Sequence, residues 1–237
     1  MQEIFIGTSG WNYGHWRGPF YPDGLARTRW LQHYARIFST VEVNATFYRS
    51  MRPSTFERWR ASTPDGFTWS VKASRFITHI RRLRDPEEPL ARFMESLEPL
   101  GDKLGPVLFQ LPPSLVFDAH LVQSFCRSLP PGRRCVIEAR HGSWISDAAL
   151  ACLKEGHVAW CISDTAGRYP YREAATSDFV YVRLHGSKRL YASCYSDDEL
   201  SAWAARIRSC ELDTYVYFDN DFMGYAPTNA LRLGELL

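Results

Sequence analysis

Eight short β-type runs recur along this chain, at roughly 3–9, 41–48, 67–73, 106–111, 135–140, 158–164, 179–185 and 214–220. Helical periodicity fills most of the intervals between them, near 27–38, 53–61, 88–100, 118–128, 147–155 and 197–208. A strand followed by an amphipathic helix, repeated, builds a parallel sheet, because each crossover carries the chain back before the next strand begins. Eight such units close a sheet on itself. The expectation is therefore an α/β chain folded as a (β/α)8 TIM-type barrel, a single domain over 1–237. It is somewhat irregular: 165–178 is polar, holds Pro170 and predicts a loop as the sixth crossover, while Thr228–Leu237 supplies a short closing helix. An open doubly wound sheet competes, but GTSGW after the first run lacks the third glycine of a dinucleotide fingerprint.

Alternation within the runs says where polarity goes. VEVNATFY, read as one strand over 41–48, sets Val41, Val43, Ala45 and Phe47 on one face and Glu42, Asn44, Thr46 and Tyr48 on the other. The outer face of a barrel packs on helices, so the polar face points inward, which is costly unless the interior is wet, hydrogen-bonded or occupied. Other runs end in the same way. Lys72 closes the third, Gln110 the fourth, Glu138 and Arg140 the fifth, Asp164 the sixth, Arg183 and His185 the seventh, and Asp219 or Asp221 the eighth. These carboxyl ends form the face on which barrels build active sites.

Composition narrows the setting. A chain of 237 residues, 45% hydrophobic, buries one large core. It has no run of 18 uncharged apolar residues, and MQEIFIGTSG enters a strand pattern without a basic leader, so the expected setting is cytoplasmic with no membrane partner. The six cysteines contain no CxxC pair and sit mostly in apolar segments, where a thiol packs as a small hydrophobe. A net charge of +2 implies no polyanion partner by itself, so any such claim rests on local clustering.

The segments GTSGWNYGHWRG, VEVNATFY, FTWSVKASRFITH, LFQLPPS, VIEARHGSW, FVYVRLHG and YFDNDFMGYAPTNA, in this order and spacing, together resemble the YecE-like family, domain of unknown function family 72. The resemblance spans nearly the whole chain. It implies a TIM barrel and no established reaction. The polar positions it carries over are Glu42, Asn44, Lys72, His79, Gln110, Glu138, Arg140, Asp164, Arg183, His185 and Asn220. Asp219 stands where the family pattern leads one to expect Asn, a departure that argues against a catalytic or metal-ligand role for it.

Each residue has a structural and a functional reading. Glu42, Glu138 and Asp164 pair with Lys72, Arg140 and Arg183 in a self-neutralising ring, or serve chemistry; a buried ionic ring made for stability alone is poor design. The glutamates are the acid/base candidates, since environment can raise one pKa and leave the other ionised. His185 and Asp164 join them as catalytic candidates, with a packed role for His185 equally open. For Lys72 a salt bridge is favoured over a Schiff-base nucleophile, which needs a depressed pKa. Trp11, Trp16, Tyr48 and Trp144 near the mouth raise a glycosidase, but the fourth and seventh strand ends carry Gln110 and Arg183 where retaining barrels place carboxylates. No cofactor is required. A divalent metal held by Glu42, Glu138, Asp164, His185 and Asp219 stays open, opposed by Lys72, Arg140 and Arg183 on the same rim, and no metal site is assigned.

Anion binding explains the convergent cations more simply. It assigns Asn44, Tyr48, Lys72, Gln110, Arg140, Arg183, Trp11, His79 and Asn220 to a small anionic substrate, with HGSKRLY after the seventh run as a phosphate loop. SRFITHIRRLRD adds Arg75, His79, Arg81, Arg82 and Arg84 interleaved with Phe76 and Ile80, a pattern that also suits nucleic acid. Three functions follow. The first is an enzyme, a hydrolase or lyase, on a small phosphorylated substrate. The second is a nucleic-acid-binding protein or metal-dependent phosphodiesterase analogous in fold to endonuclease IV. The third is a non-catalytic metabolite-binding module.

Overall fold

In the computed structural model, which describes residues 2–237, the polar ends of eight strands meet at one rim. The strands are β1 (Ile4–Thr8), β2 (Thr40–Val43), β3 (Thr68–Lys72), β4 (Leu104–Gln110), β5 (Cys135–Glu138), β6 (Ala159–Asp164), β7 (Phe179–Leu184) and β8 (Asp213–Phe218). All pairings are parallel, in the spatial order β1-β8-β7-β6-β5-β4-β3-β2. A single parallel bridge, Ser9 to Glu42, joins β1 to β2 and nearly closes the ring. That seam is tight: a Cβ on Gly7 would lie 2.2 Å from the Thr40 carbonyl oxygen, so only glycine lets the two strands approach. The fold is a TIM-like barrel.

The helices are α1 (Trp30–Tyr34), α2 (Ala45–Tyr48), α3 (Pro53–Ala61), α4 (Glu87–Leu97), α5 (Ala119–Ser128), α6 (Asp147–Glu155), α7 (Asp197–Ser209) and α8 (Tyr225–Leu236). Their starts are written locally. Proline opens α3, Asp118 accepts from the Leu121 amide at the head of α5, and Ser196 forms a reciprocal capping box with Glu199 on α7. Between β6 and β7 there is no helix, as the polar segment with Pro170 predicts. The loop is tied down instead: the Thr176 hydroxyl accepts from the Trp160 amide, and Trp160 Nε1 donates to the Arg172 carbonyl. No helix among the described residues is long and apolar enough to cross a membrane.

One expected strand is shorter than its pattern. The run 41–48 stops at Val43, Asn44 turns helical (φ −97°, ψ −15°), and Ala45–Tyr48 forms the single-turn α2. The Thr46 hydroxyl fixes the turn, 2.7 Å from the Lys72 carbonyl oxygen and 3.3 Å from that of Val43. Alternation persists through the turn by coincidence, so only Glu42 of the proposed polar face is a strand residue pointing into the barrel.

Two apolar cores result. The larger lies between strands and helices. The smaller fills the lower barrel with Leu108, Val136, Ala159, Cys161, Phe179, Tyr181, Tyr215 and Tyr217, against which Phe5 packs. Its tyrosine hydroxyls are paired across the barrel, Tyr217 with Thr40 at 2.6 Å and Tyr181 with Ser70 at 2.7 Å. This layer is the floor on which the polar rim rests.

Candidate active site

Immediately above the floor, Arg183 crosses the barrel. Its guanidinium donates to both oxygens of Glu42 (Nη2 to Oε1 2.7 Å, Nε to Oε2 2.9 Å), to Glu138 Oε2 at 2.6 Å and to Asp219 Oδ2 at 3.0 Å. Glu42 also accepts from the Ser9 hydroxyl (2.7 Å), the Tyr181 hydroxyl (2.7 Å) and Asn44 Nδ2 (3.3 Å). Arg183, Glu42 and Glu138 are at most 1% exposed. A bidentate arginine on a carboxylate with every lone pair engaged is the arrangement in which a buried ion pair is best satisfied.

This geometry corrects the reading of Glu42 and Glu138 as an acid/base pair. Burial pushes Glu138 upward, but the Arg183 and Arg140 guanidiniums outweigh it and hold its carboxyl well below the usual range. Arg183 holds both carboxylates beneath the site. His185 is fully buried in the same layer. Its Nε2 lies 3.3 Å from Arg183 Nη1 and 3.6 Å from Glu138 Oε1. Its Nδ1 is 3.0 Å from Asp219 Oδ2, at ion-pair distance but off the line of a good hydrogen bond. Because an arginine N–H only donates, Nε2 is the acceptor and the ring proton sits on Nδ1, facing Asp219. Asp219, set aside on sequence, is therefore central: burial raises it, Arg183 and His185 lower it further, and it stays ionised.

Above this layer lies a cavity of about 490 Å³, lined by Tyr13, Asn44, Phe47, Tyr48, Lys72, His79, Gln110, Pro113, Arg140, Tyr169, Tyr191 and Asp219. Lys72 is the unexpected member. The salt bridge expected for it is absent: its ammonium makes no ion pair or hydrogen bond among the described residues, and its Nζ sits 4.5 Å from the centre of the Phe47 ring. The side chain is 7% exposed. Burial and then the nearby Arg183 charge lower its pKa from 10.5 to about 8. Arg140 keeps a foot in both layers. It reaches Glu138 Oε1 at 3.3 Å, donates to the Tyr191 hydroxyl at 3.3 Å, and lies 4.5 Å over the Tyr169 ring. Its Nη1 has no hydrogen bond among the described residues.

Asn44 and Gln110 present amides to the cavity, with Asn44 Oδ1 buried and unpartnered, while Gln110 Nε2 donates to the Leu111 carbonyl. His79 arrives from a π-helical turn, Phe76–Ile80; burial and Lys72 push it down to about 4. Tyr48 stands at the lip, 71% exposed. Tyr13, Tyr169 and Tyr191 were not assigned to the site on sequence, and Phe47 was placed on the apolar face. Tyr169 sits in a loop without periodicity, whereas Tyr13, Phe47 and Tyr191 lay within segments already singled out, GTSGWNYGHWRG, VEVNATFY and HGSKRLY.

Other candidates fall outside the cavity. Asp164 accepts from the Tyr195 hydroxyl at 3.0 Å and faces a second cavity of about 350 Å³ with Ser163, Thr165 and Glu199. Asn220 is a clamp, donating to the Ser193 carbonyl and Asn229 Oδ1, both at 2.9 Å. Trp11 packs edge-on against Trp59 and Trp69, and Trp16 and Trp144 are fully buried, so none flanks the mouth as a stacking platform. The amides of Lys188 and Arg189 both donate to the Ser193 hydroxyl, which leaves HGSKRLY no ready phosphate cradle. In the basic loop, Arg81 pairs with Asp85 at 3.3 Å and Arg82 donates to Ser114 at 2.9 Å. No group of three or more His, Cys, Asp or Glu side chains among the described residues converges for a metal, and of the carboxylates proposed for one Glu42, Glu138 and Asp219 are occupied by Arg183 while Asp164 faces a different cavity.

Comparison with known proteins places the molecule among relatives without an assigned reaction. The family model described as "Protein of unknown function DUF72" matches residues 5–237. The chain is 29% identical to UPF0759 protein YunF of Bacillus subtilis, covering 99% of this chain and 94% of that one. It is 31% identical to UPF0759 protein YecE of Escherichia coli over 58% of this chain and 48% of the relative. The crystal structure of a DUF72 family protein from Thermotoga maritima superposes with a TM-score of 0.90 at 27% identity, covering 99% of both chains. SacUVDE shares the fold at a TM-score of 0.60 and 9% identity, over 100% of this chain and 98% of its own.

Proposed function

We propose that this chain, which belongs to the DUF72 family of proteins of unknown function, is an enzyme that takes a small anionic substrate into the cavity at the carboxyl ends of its strands. One observation carries the reading: Lys72, whose side chain is 7% exposed and whose ammonium makes no ion pair among the described residues, shares a cavity with Arg140, whose guanidinium is only partly engaged. An uncompensated buried charge is costly, and a bound carboxylate or phosphate supplies the missing partner. Asn44 and Gln110 line the same cavity, each with its amide nitrogen already donating once, to Glu42 and to the Leu111 carbonyl, and the rings of Tyr13, Phe47, Tyr169 and Tyr191 limit water, which strengthens each charged contact. Proton transfer falls to groups that face the cavity, Lys72, His79 and Asp219, and not to the two glutamates below.

Thermal denaturation against inorganic phosphate, sugar phosphates and nucleotides tests this. A ligand at about one hundred times its dissociation constant adds about 2.7 kcal/mol, a shift of about 5–11 °C for a chain of this size. The expected result is a shift with a small anion that Lys72→Met and Arg140→Ala each abolish. Shifts that survive both substitutions would place binding elsewhere.

A second reading is favoured by the outer lip, where Tyr48, Phe76 and Ile80 are exposed beside exposed Arg75 and Arg84. Cations that grip phosphates and rings that stack on bases suit a single-stranded nucleic acid. A salt-sensitive shift with an oligonucleotide alone, weakened by Arg75→Ala and Arg84→Ala, would move the assignment there.

A further inference from the structure

We infer that Lys72 is a covalent nucleophile, whose Nζ condenses with the carbonyl group of a small aldehyde or ketone that also bears a carboxylate or phosphate held by Arg140. The inference rests on the anion-binding reading above and names its substrate class. Three carboxylates lie at the same barrel mouth, and none of them pairs with Lys72. Glu42 is filled by Arg183, Ser9, Asn44 and Tyr181; Glu138 by Arg183 and Arg140; Asp219 is engaged by Arg183 and faced by His185. The Phe47 ring lies 4.5 Å from the amine and withholds no lone pair. An amine serving only as a structural cation is expected beside an anion; here the anions are spent on arginine and the amine is left facing space.

The other three lysines show the contrast. Lys103 is equally buried, but its ammonium is locked by the carbonyls of Arg60 (2.9 Å) and Thr63 (2.6 Å), and Lys154 and Lys188 are exposed. Lys72 alone combines burial, freedom from partners and a cavity in front of it. Its lowered basicity, about 8, agrees with that placement and leaves about a tenth of the amine unprotonated at pH 7.

The step balances without any added redox agent. The neutral amine attacks the carbonyl carbon, and the carbonyl π pair moves to oxygen, which takes up a proton. The nitrogen gives one up to His79, an imidazole that lines the same cavity. Loss of water from the carbinolamine forms the C=N bond, so amine plus carbonyl becomes imine plus water. The protonated imine then draws electrons from the neighbouring C–H or C–C bond, the chemistry of a lyase or isomerase and not of a hydrolase.

Reductive trapping decides the matter. The full chain is incubated at pH 7 with glyoxylate, or with acetaldehyde, and sodium cyanoborohydride, and each lysine's modification is followed by peptide mass spectrometry. The expected result is glyoxylate trapped at Lys72 at least ~10-fold faster than at the exposed Lys154 and Lys188, as its placement in the cavity and lowered basicity lead one to expect. Glyoxylate should be preferred to acetaldehyde at that site, and Arg140→Ala should erase the preference. Lys72→Met should remove the site while keeping the thermal transition. Labelling of Lys72 no faster than of the exposed lysines, with phosphate or glyoxylate still raising the melting temperature, would overturn the covalent role and leave the anion-binding reading standing. Absence of both labelling and any thermal shift would remove both.

Discussion

Arg183 and Lys72 are two cations buried in one barrel mouth and treated in opposite ways. Arg183 meets three carboxylates; burial would lower its basicity, but Glu42, Glu138 and Asp219 push it well above its ordinary value. Lys72 pairs with none, and burial and the Arg183 charge lower it to about 8 against the weaker pull of the same carboxylates. The difference separates structure from function within one site. A planar five-donor guanidinium can satisfy several carboxylates at once and serve as a keystone, while a compact ammonium is the group whose proton a protein can adjust.

Removing the keystone is the sharpest way to break the comparison. Arg183→Met leaves Glu42, Glu138 and Asp219 buried without their cation and should cost about 4 kcal/mol, a drop of about 10 °C or more in a melting curve. Lys72→Met should do the reverse. A fall from 10.5 to about 8 corresponds to about 3 kcal/mol of cost at neutral pH, so the variant should melt higher than the parent while losing its anion response. If both variants melt lower, Lys72 has a partner and the contrast fails.

The pH dependence sharpens the same point. Below pH 8 the lysine is protonated both folded and unfolded, and its full cost is present. Between about 8 and 10.5 the folded state gives up its proton first, so the unfolded state holds more protons and stability rises with pH on this group's account. The gap between parent and Lys72→Met, measured by urea unfolding, should shrink across that window. Glu42→Gln, which sets an amide donor against Tyr181 and Arg183, should cost about 2 kcal/mol, and Tyr48→Ala at the exposed lip less than about 0.5 kcal/mol. Tyr48→Ala should still weaken ligand binding if the cavity is the site.

The barrel was legible because hydrophobic period and turn chemistry are local, and they placed all eight strands and the helix-free sixth crossover. The rim was legible for a related reason: a polar residue at the carboxyl end of an inward-facing strand position has nowhere else to go. Which cation takes which anion was not, because that depends on how far side chains reach across the barrel from non-adjacent strands. Glu42 lies 141 positions from Arg183, and no spacing rule links them. Asp219 was discounted as a departure from a pattern, although its place just after TYVYF put it on the axis. The tryptophans were expected at the mouth because their loops are, but a ring that large in a small barrel is more useful as packing, and Trp16 and Trp144 each find a buried acceptor, Asp221 and the Leu115 carbonyl.

The tyrosine floor carries a kinetic consequence. A vessel sealed at its base has one door, and this one is sealed by paired hydroxyls below and by the Arg183 network above them. Whatever enters must leave by the same opening, so on the proposed enzymatic reading a substrate and its product are rivals for one passage. Product should therefore inhibit competitively, and any second reactant must arrive from above, over the first.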